Sequence, residues 1–120
     1  PLTPRAVPAS HDARIRAFSV TLDAPLDCHA LGAALSMLAT FRPGHLLRFK
    51  ALVNLQGETQ PVVLHGVQHV LYPEIRLDAW PDGDRTSRFV FIVRDLDPAF
   101  VEKLLVDFTQ AAGAFAAHTS

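Results

Sequence analysis

The segment from His45 to Tyr72, HLLRFKALVNLQGETQPVVLHGVQHVLY, decides how the rest of the chain can fold. In its first half apolar and polar residues alternate, which is the period of a half-buried strand. One face carries Leu47, Phe49, Ala51, Val53 and Leu55, and the other carries Arg48, Lys50, Asn54 and Gln56. The second half, residues 61–72, is rich in β-branched residues and predicts another strand, while Gly57-Glu58 predicts a tight turn. The segment is therefore a predicted β-hairpin.

The sequence on both sides of this hairpin predicts two more strands and two helices. Residues 15–23 alternate as a strand, and residues 88–94 place Phe89, Phe91 and Val93 on one face. Asp27 and Asp97 are predicted helix N-caps, because each precedes a stripe of apolar residues at helical spacing. The order β-α-β-β-β-α predicts an α+β fold, a mostly antiparallel four-stranded sheet with two helices on one face.

The composition excludes several classes of function. With 120 residues, of which 49% are apolar and 19% charged, the chain has the size and composition of one globular domain. Eleven basic and 12 acidic residues give a net charge of −1, so we expect no nucleic-acid partner. No apolar run approaches the roughly 20 residues of a membrane helix, and we expect a cytoplasmic protein with no membrane partner. The single cysteine, Cys28, excludes an internal disulfide, and we expect it to be buried.

Two histidines four residues apart, His65 and His69, lie within the second predicted strand. On a strand they would share a face about 13 Å apart, which is too far for one ion to bind both comfortably. Two interpretations stay open: histidines hydrogen-bonded on a sheet face, or a weak transition-metal site formed by His65, His69 and His45 from the neighbouring strand. Imidazole suits zinc, cobalt and nickel alike, so the pattern does not specify the metal.

No catalytic motif is present in the sequence. The nucleophile elbow, the dinucleotide-binding glycine turn and the phosphate-binding loop are all missing. The carboxylates stand mostly where turns and helix caps need them, so a standalone hydrolase is only a distant alternative. We therefore predict no catalytic residue in this chain.

The region from about Phe18 to Phe108 resembles the C-terminal domain of the CobW-type proteins, P-loop GTPases regarded as metal-insertion chaperones. The resemblance lies in the order and spacing of several elements: the helix before the hairpin, the GVQH stretch, the Trp80-Pro81 loop and the closing SRFVFIVRDL. It implies that residues 1–13 are a linker from an N-terminal GTPase domain, and that residues 14–120 form the C-terminal domain.

The resemblance also implies where the chemistry lies. GTP and the metal-binding cysteines of the family belong to the N-terminal domain, so this domain would be a non-catalytic accessory and regulatory module in cobalt or zinc delivery, including cobalamin biosynthesis. Its expected partners are the GTPase domain of the same chain, a client metalloprotein and a second copy of itself. The alternative is a domain that itself binds zinc or cobalt weakly through its histidines.

The sheet face opposite the helices is the predicted interface. Polar residues mix there with apolar ones such as Leu46 and Leu52, a composition typical of a transient interface. Tryptophan is enriched at binding hot spots, which makes the single tryptophan a candidate anchor at the edge of this surface. The predicted interface residues are Arg48, Lys50, Leu52, Gln68 and Trp80.

Overall fold

An antiparallel sheet organises the computed structural model, which describes residues 14–41, 43–68 and 70–119, with side chains up to Gln110. Its elements are β1 (Ile15–Leu22), α1 (Cys28–Phe41), β2 (Leu46–Val53), β3 (Val62–Val67), β4 (Val70–Leu71), β5 (Ile75–Arg76), β6 (Ser87–Arg94) and α2 (Pro98–Thr119). The strand order is β1-β6-β2-β3-β4, with β5 paired to β3. The predicted α+β order is confirmed, and the sheet gains two strands of two residues each. The predicted linker, residues 1–13, lies outside the described residues.

The core lies between the sheet and the two helices. The predicted apolar stripe of α1, with Leu31, Leu35 and Leu38, is buried against the sheet. From α2, Val101 and Leu105 are fully buried in the same cluster. Burying an aliphatic or aromatic side chain of this size contributes roughly 1.5–3 kcal/mol, so this shared core is what holds both helices on one face.

Both helices begin where the predicted caps stand. The Asp27 carboxylate accepts a hydrogen bond of 2.8 Å from the backbone N–H of Ala30, and the Asp97 carboxylate accepts one of 3.0 Å from that of Ala99. Such caps satisfy amides that the first helical turn leaves unpaired. Cys28, the first residue of α1, is exposed, so the expectation of a buried thiol is wrong. A first-turn residue points away from the sheet here because the stripe that packs begins at Leu31.

The predicted hairpin of β2 and β3 forms, with Arg48 paired to Val67 and Val53 to Val62, but β2 begins with an irregularity. The pairing of β2 with β6 shifts between Leu46 and Arg48, as in a β-bulge. The extra residue turns Leu46 into the core, where it is only 3% exposed, and leaves Leu47 half-buried. The prediction that Leu46 lies on the outer face is therefore wrong, because strict alternation does not hold through a bulge.

At its other end, β2 stops before Asn54, which was predicted to face outward. Asn54 is 8% exposed. Its backbone N–H donates to the hydroxyl of Ser87 at 2.9 Å, and its side-chain amide donates to the carbonyl of Arg85 at 3.1 Å. These bonds tie the hairpin to the loop before β6, and they explain how a polar side chain is buried at low cost.

The second predicted strand, residues 61–72, is broken at Gln68. This residue has φ of 54°, in the left-handed region, and β4 folds back so that Val70 pairs with Val67 and Leu71 with Gly66. The premise that His65 and His69 share one continuous strand is therefore wrong, since the strand carrying His65 ends at Val67. His69 itself lies outside the described residues.

An ion pair joins the start of β1 to the corner after β6. The Arg14 guanidinium donates to both carboxylate oxygens of Asp95, with a shortest distance of 2.7 Å. These hydrogen bonds, helped by the charge of Arg14, hold the pKa of Asp95 below its usual value. Asp95 has φ of 51°, and the left-handed residue turns the chain from the sheet into α2.

Candidate interface on the open sheet face

The sheet face opposite the helices, here called the open face, is built by strand alternation. In β6 the buried residues Phe89, Phe91 and Val93 point to the helices, so the residues between them point outward. Strand pairing places four rows of side chains side by side. The open face consists of Arg88, Val90, Ile92 and Arg94 from β6, Arg48, Lys50 and Leu52 from β2, Val63, His65 and Val67 from β3, and Ile15, Ala17, Ser19 and Thr21 from β1.

A shallow depression of about 450 Å³ lies in the middle of the open face. Its lining comes from β2 and β6 and comprises Arg48, Lys50, Ala51, Leu52, Arg88, Val90 and Ile92. Arginine and lysine contribute their aliphatic stems to such a wall while their charges stay in water. Val90 is 49% exposed in this depression, so the open face offers accessible apolar surface with cationic groups around it.

The cations of the open face differ in whether a nearby carboxylate neutralises their charge. Arg88 forms ion pairs of 3.3 Å with Asp82 and 2.9 Å with Asp84 in the preceding loop. Hydrogen bonds from the hydroxyl and N–H of Thr86, together with Arg88, lower the pKa of Asp84. They therefore stabilise the ionised carboxylate that faces Arg88. By contrast, within the described ranges Arg48 and Lys50 take part in no ion pair. Uncompensated positive charge therefore lies at the centre of the face.

His45 and His65, the two predicted metal ligands within the described residues, lie apart from each other. The ring of His65 stacks on Tyr72 with centroids 4.8 Å apart, and His65 pairs across the strands with Lys50. His45 Nδ1 lies 2.7 Å from the carbonyl oxygen of Arg94, next to the Leu46–Val93 pair. Lys50, the partner of His65, and Leu46, the neighbour of His45, are four residues apart on β2. This spacing separates the two histidines by roughly 13 Å. Among the described residues, no group of three or more histidine, cysteine or acidic side chains could hold a metal ion.

The five predicted interface residues fall in three places. Arg48, Lys50 and Leu52 lie together around the depression. Gln68 forms the turn after β3, where its N–H donates to the carbonyl of Leu47 at 2.9 Å, and its side chain lines a cavity beside α1. Trp80 is half-buried in the loop before β6, and its buried indole N–H has no hydrogen-bond partner in the described part of the chain.

Sequence reasoning missed the contribution of β6 to this surface. The depression is completed by Arg88, Val90 and Ile92. From this strand, sequence periodicity assigned only Phe89, Phe91 and Val93 to a face of the sheet. The signal was present, because residues between alternating core positions must face the other way. What periodicity cannot show is that β6 lies between β1 and β2 at the middle of the sheet, where its outer residues become the centre of the open face.

Comparisons with known proteins agree with this architecture. The profile of the cobalamin synthesis protein cobW C-terminal domain matches residues 15–109. No curated protein sequence matches the chain. Within the described part of the chain, neither helix is long and apolar enough to cross a membrane.

Two solved structures share the fold. The zinc-bound YjiA GTPase from E. coli is 24% identical, with a TM-score of 0.72, over 83% of this chain and 31% of that protein. A zinc-bound triple mutant of the YjiA GTPase is also 24% identical, with a TM-score of 0.71, over 79% of this chain and 30% of that protein. The chain thus spans less than a third of the proteins it resembles in structure.

Proposed function

Because the chain belongs to the family of cobalamin synthesis protein cobW C-terminal domains, we propose that it is the non-catalytic accessory domain of a CobW-like metal-chaperone GTPase. The GTPases of similar structure are about three times longer than the matched region, which supports a role as one domain of a larger protein. In this role the domain regulates delivery of cobalt or zinc to a client metalloprotein, and cobalamin biosynthesis is one such destination. GTP is bound by the partner domain.

The observation that carries this proposal is the open face. An antiparallel sheet with helices on one side leaves a second face that either stays in water or serves as a binding surface. Here that face combines the accessible apolar surface of Val90 with Arg48 and Lys50, two cations that form no ion pair with any residue the structure describes. We propose that this face contacts the GTPase domain or its client, with Trp80 at its border, whereas Gln68 lines the cavity beside α1 on the other side of the sheet. Nucleotide-dependent closure against it would then change access to the metal.

Replacing Leu52 by glutamate in the full-length GTPase is expected to reproduce the effect of deleting this domain. A buried carboxylate at the depression would oppose docking while leaving the helix side of the sheet untouched. We expect metal-dependent GTP hydrolysis to change by about 5-fold or more, the range of a typical coupling between sites. Steady-state GTPase assays with added zinc or cobalt provide the measurement.

The matched control is Met37→Glu, which places the same charge on an exposed residue of α1, 41% accessible on the opposite layer. This variant should hydrolyse GTP at the wild-type rate, and thermal unfolding should show that both variants fold. Identical kinetics for Leu52→Glu, the deletion and the wild type would remove the regulatory role.

A second candidate function is weak metal binding by the domain itself, at His65 with His69 or at His45, since His65 and His45 lie too far apart to hold one ion. Its support is that both similar structures are described as zinc-bound. This proposal predicts that titrating about 100 μM protein with zinc or cobalt releases heat, and that His65→Ala abolishes the heat. His29→Ala, on the exposed side of α1, is the control and should retain it. Equal heats for the two variants would leave His65 with only its stacking role beside Tyr72.

A further inference from the structure

The strands of this sheet carry charge of one sign only. Their ionisable residues are Arg16, Arg48, Lys50, His65, Arg76, Arg88 and Arg94, and no aspartate or glutamate occurs in any of the six strands. The chain as a whole has a net charge of −1, and the carboxylates within the described ranges lie in loops, caps and helices. The sheet is therefore a cationic layer within a nearly neutral protein.

On the open face this charge is arranged around an apolar centre. Arg48 and Lys50 stand two residues apart on β2, about 6.8 Å along the strand, and both are exposed. Val90 and Ile92 of β6 lie directly beside them, because Arg48 pairs with Ile92 and Lys50 with Val90. The loop carboxylates reach Arg88 at one end of the face, but no described carboxylate pairs with the two central cations.

This arrangement restricts what can cover the face. A partner must present apolar side chains to Val90 and Ile92, and carboxylates to Arg48 and Lys50, or it leaves charges desolvated without compensation. A second copy docked face to face does not meet this condition, since a two-fold contact brings the same cations together. The apolar centre favours a protein over a nucleic acid, which is bound by aromatic stacking platforms and phosphate contacts.

We infer that the open face docks an acidic protein surface, one in which carboxylates flank an apolar ridge. The inference rests on the proposed function, because it specifies the chemistry of the partner that the accessory domain contacts. A helix fits the face: it is about 10 Å wide and covers β2 and β6, which lie about 4.8 Å apart. Carboxylates four residues apart on such a helix are about 6 Å apart, close to the spacing of Arg48 and Lys50.

The test uses the 120-residue chain and two synthetic helical peptides with the same leucine ridge, one flanked by glutamates and the other by lysines. Fluorescence anisotropy at low salt is expected to show binding of the glutamate peptide and at least ~10-fold weaker binding of the lysine peptide. Raising the salt should weaken the glutamate complex, because exposed charge pairs are screened. Lys50→Glu should reduce its affinity by about 10-fold, and Arg48→Glu should act in the same direction.

Lys103→Glu is the matched control, since Lys103 is also exposed but lies on α2, where it pairs with Asp107 at 2.9 Å. It should bind the glutamate peptide like the wild type. Several outcomes would overturn the inference. They are equal binding of both peptides, no effect of Lys50→Glu, tighter binding of an oligonucleotide or of anionic vesicles at the same residues, and a sedimenting dimer that Lys50→Glu dissociates.

The peptide assay contains no GTP, so it separates this inference from the proposed function. Unchanged GTPase kinetics for Leu52→Glu together with Lys50-dependent peptide binding would remove the regulatory role and support an acidic partner. Altered kinetics together with equal binding of both peptides would support the accessory role and overturn the acidic partner.

Discussion

Replacing Phe91 by alanine is expected to lower the free energy of unfolding by about 3–5 kcal/mol, enough to unfold a domain of ordinary stability. Phe91 is fully buried on the central strand β6. Its ring lies 5.5 Å from that of Phe18, 6.1 Å from that of Phe49 and 5.9 Å from that of Phe89, measured between centroids. Truncation therefore removes one buried aromatic side chain and leaves a cavity among three others.

The control for this prediction is Val90→Ala on the same strand. Val90 is 49% exposed on the open face, so its truncation should cost less than about 1 kcal/mol. Urea unfolding followed by far-ultraviolet circular dichroism measures both values, with the m-value checking that unfolding stays two-state. Equal losses for the two variants would contradict the assignment of the inner and outer faces of β6.

Replacing Gly66 by alanine is expected to destabilise the domain by about 1–3 kcal/mol, although alanine is among the smallest residues. A Cβ at this position would lie 2.5 Å from Cε1 of Phe49, well inside van der Waals contact. Phe49 is only 5% exposed and packs against Phe91, so its ring moves only by disturbing the core. The glycine of the HGVQH stretch is thus explained by packing against an aromatic ring.

Gly32→Ala is the matched control, because a Cβ at Gly32 would meet nothing within 4 Å. Gly32 lies inside α1, where alanine is favoured over glycine by up to about 1 kcal/mol, so this variant should be stabilised. The two identical substitutions should therefore shift the thermal midpoint in opposite directions.

A smaller side chain at position 49 should relieve the clash. Gly66→Ala combined with Phe49→Leu should therefore lower the free energy of unfolding by less than the sum of the two single effects. Additive losses would contradict the proposed clash.

The class of the fold and the composition of its layers follow from local patterns in the sequence. The alternation of residues 47–53 and 88–94, the apolar stripe of α1 and the caps at Asp27 and Asp97 all predicted elements that the structure contains. These signals are local, because strand and helix periodicity and capping depend on residues within a few positions of one another. For the same reason, placing Arg48, Lys50 and Leu52 on the face away from the helices needed no tertiary information.

Which of these elements meet depends on tertiary packing, and strand pairing overrides the local patterns at several positions. The bulge that buries Leu46 depends on the register with β6, more than 40 residues away in the sequence, and Asn54 is buried through Ser87, 33 residues away. The turn at Gln68 that ends the strand of His65 follows from β4 pairing back onto β3. The depression on the open face likewise exists only because β6 inserts between β1 and β2. Periodicity within a strand says which side a residue faces, but its neighbours across the sheet are chosen by packing of the whole core.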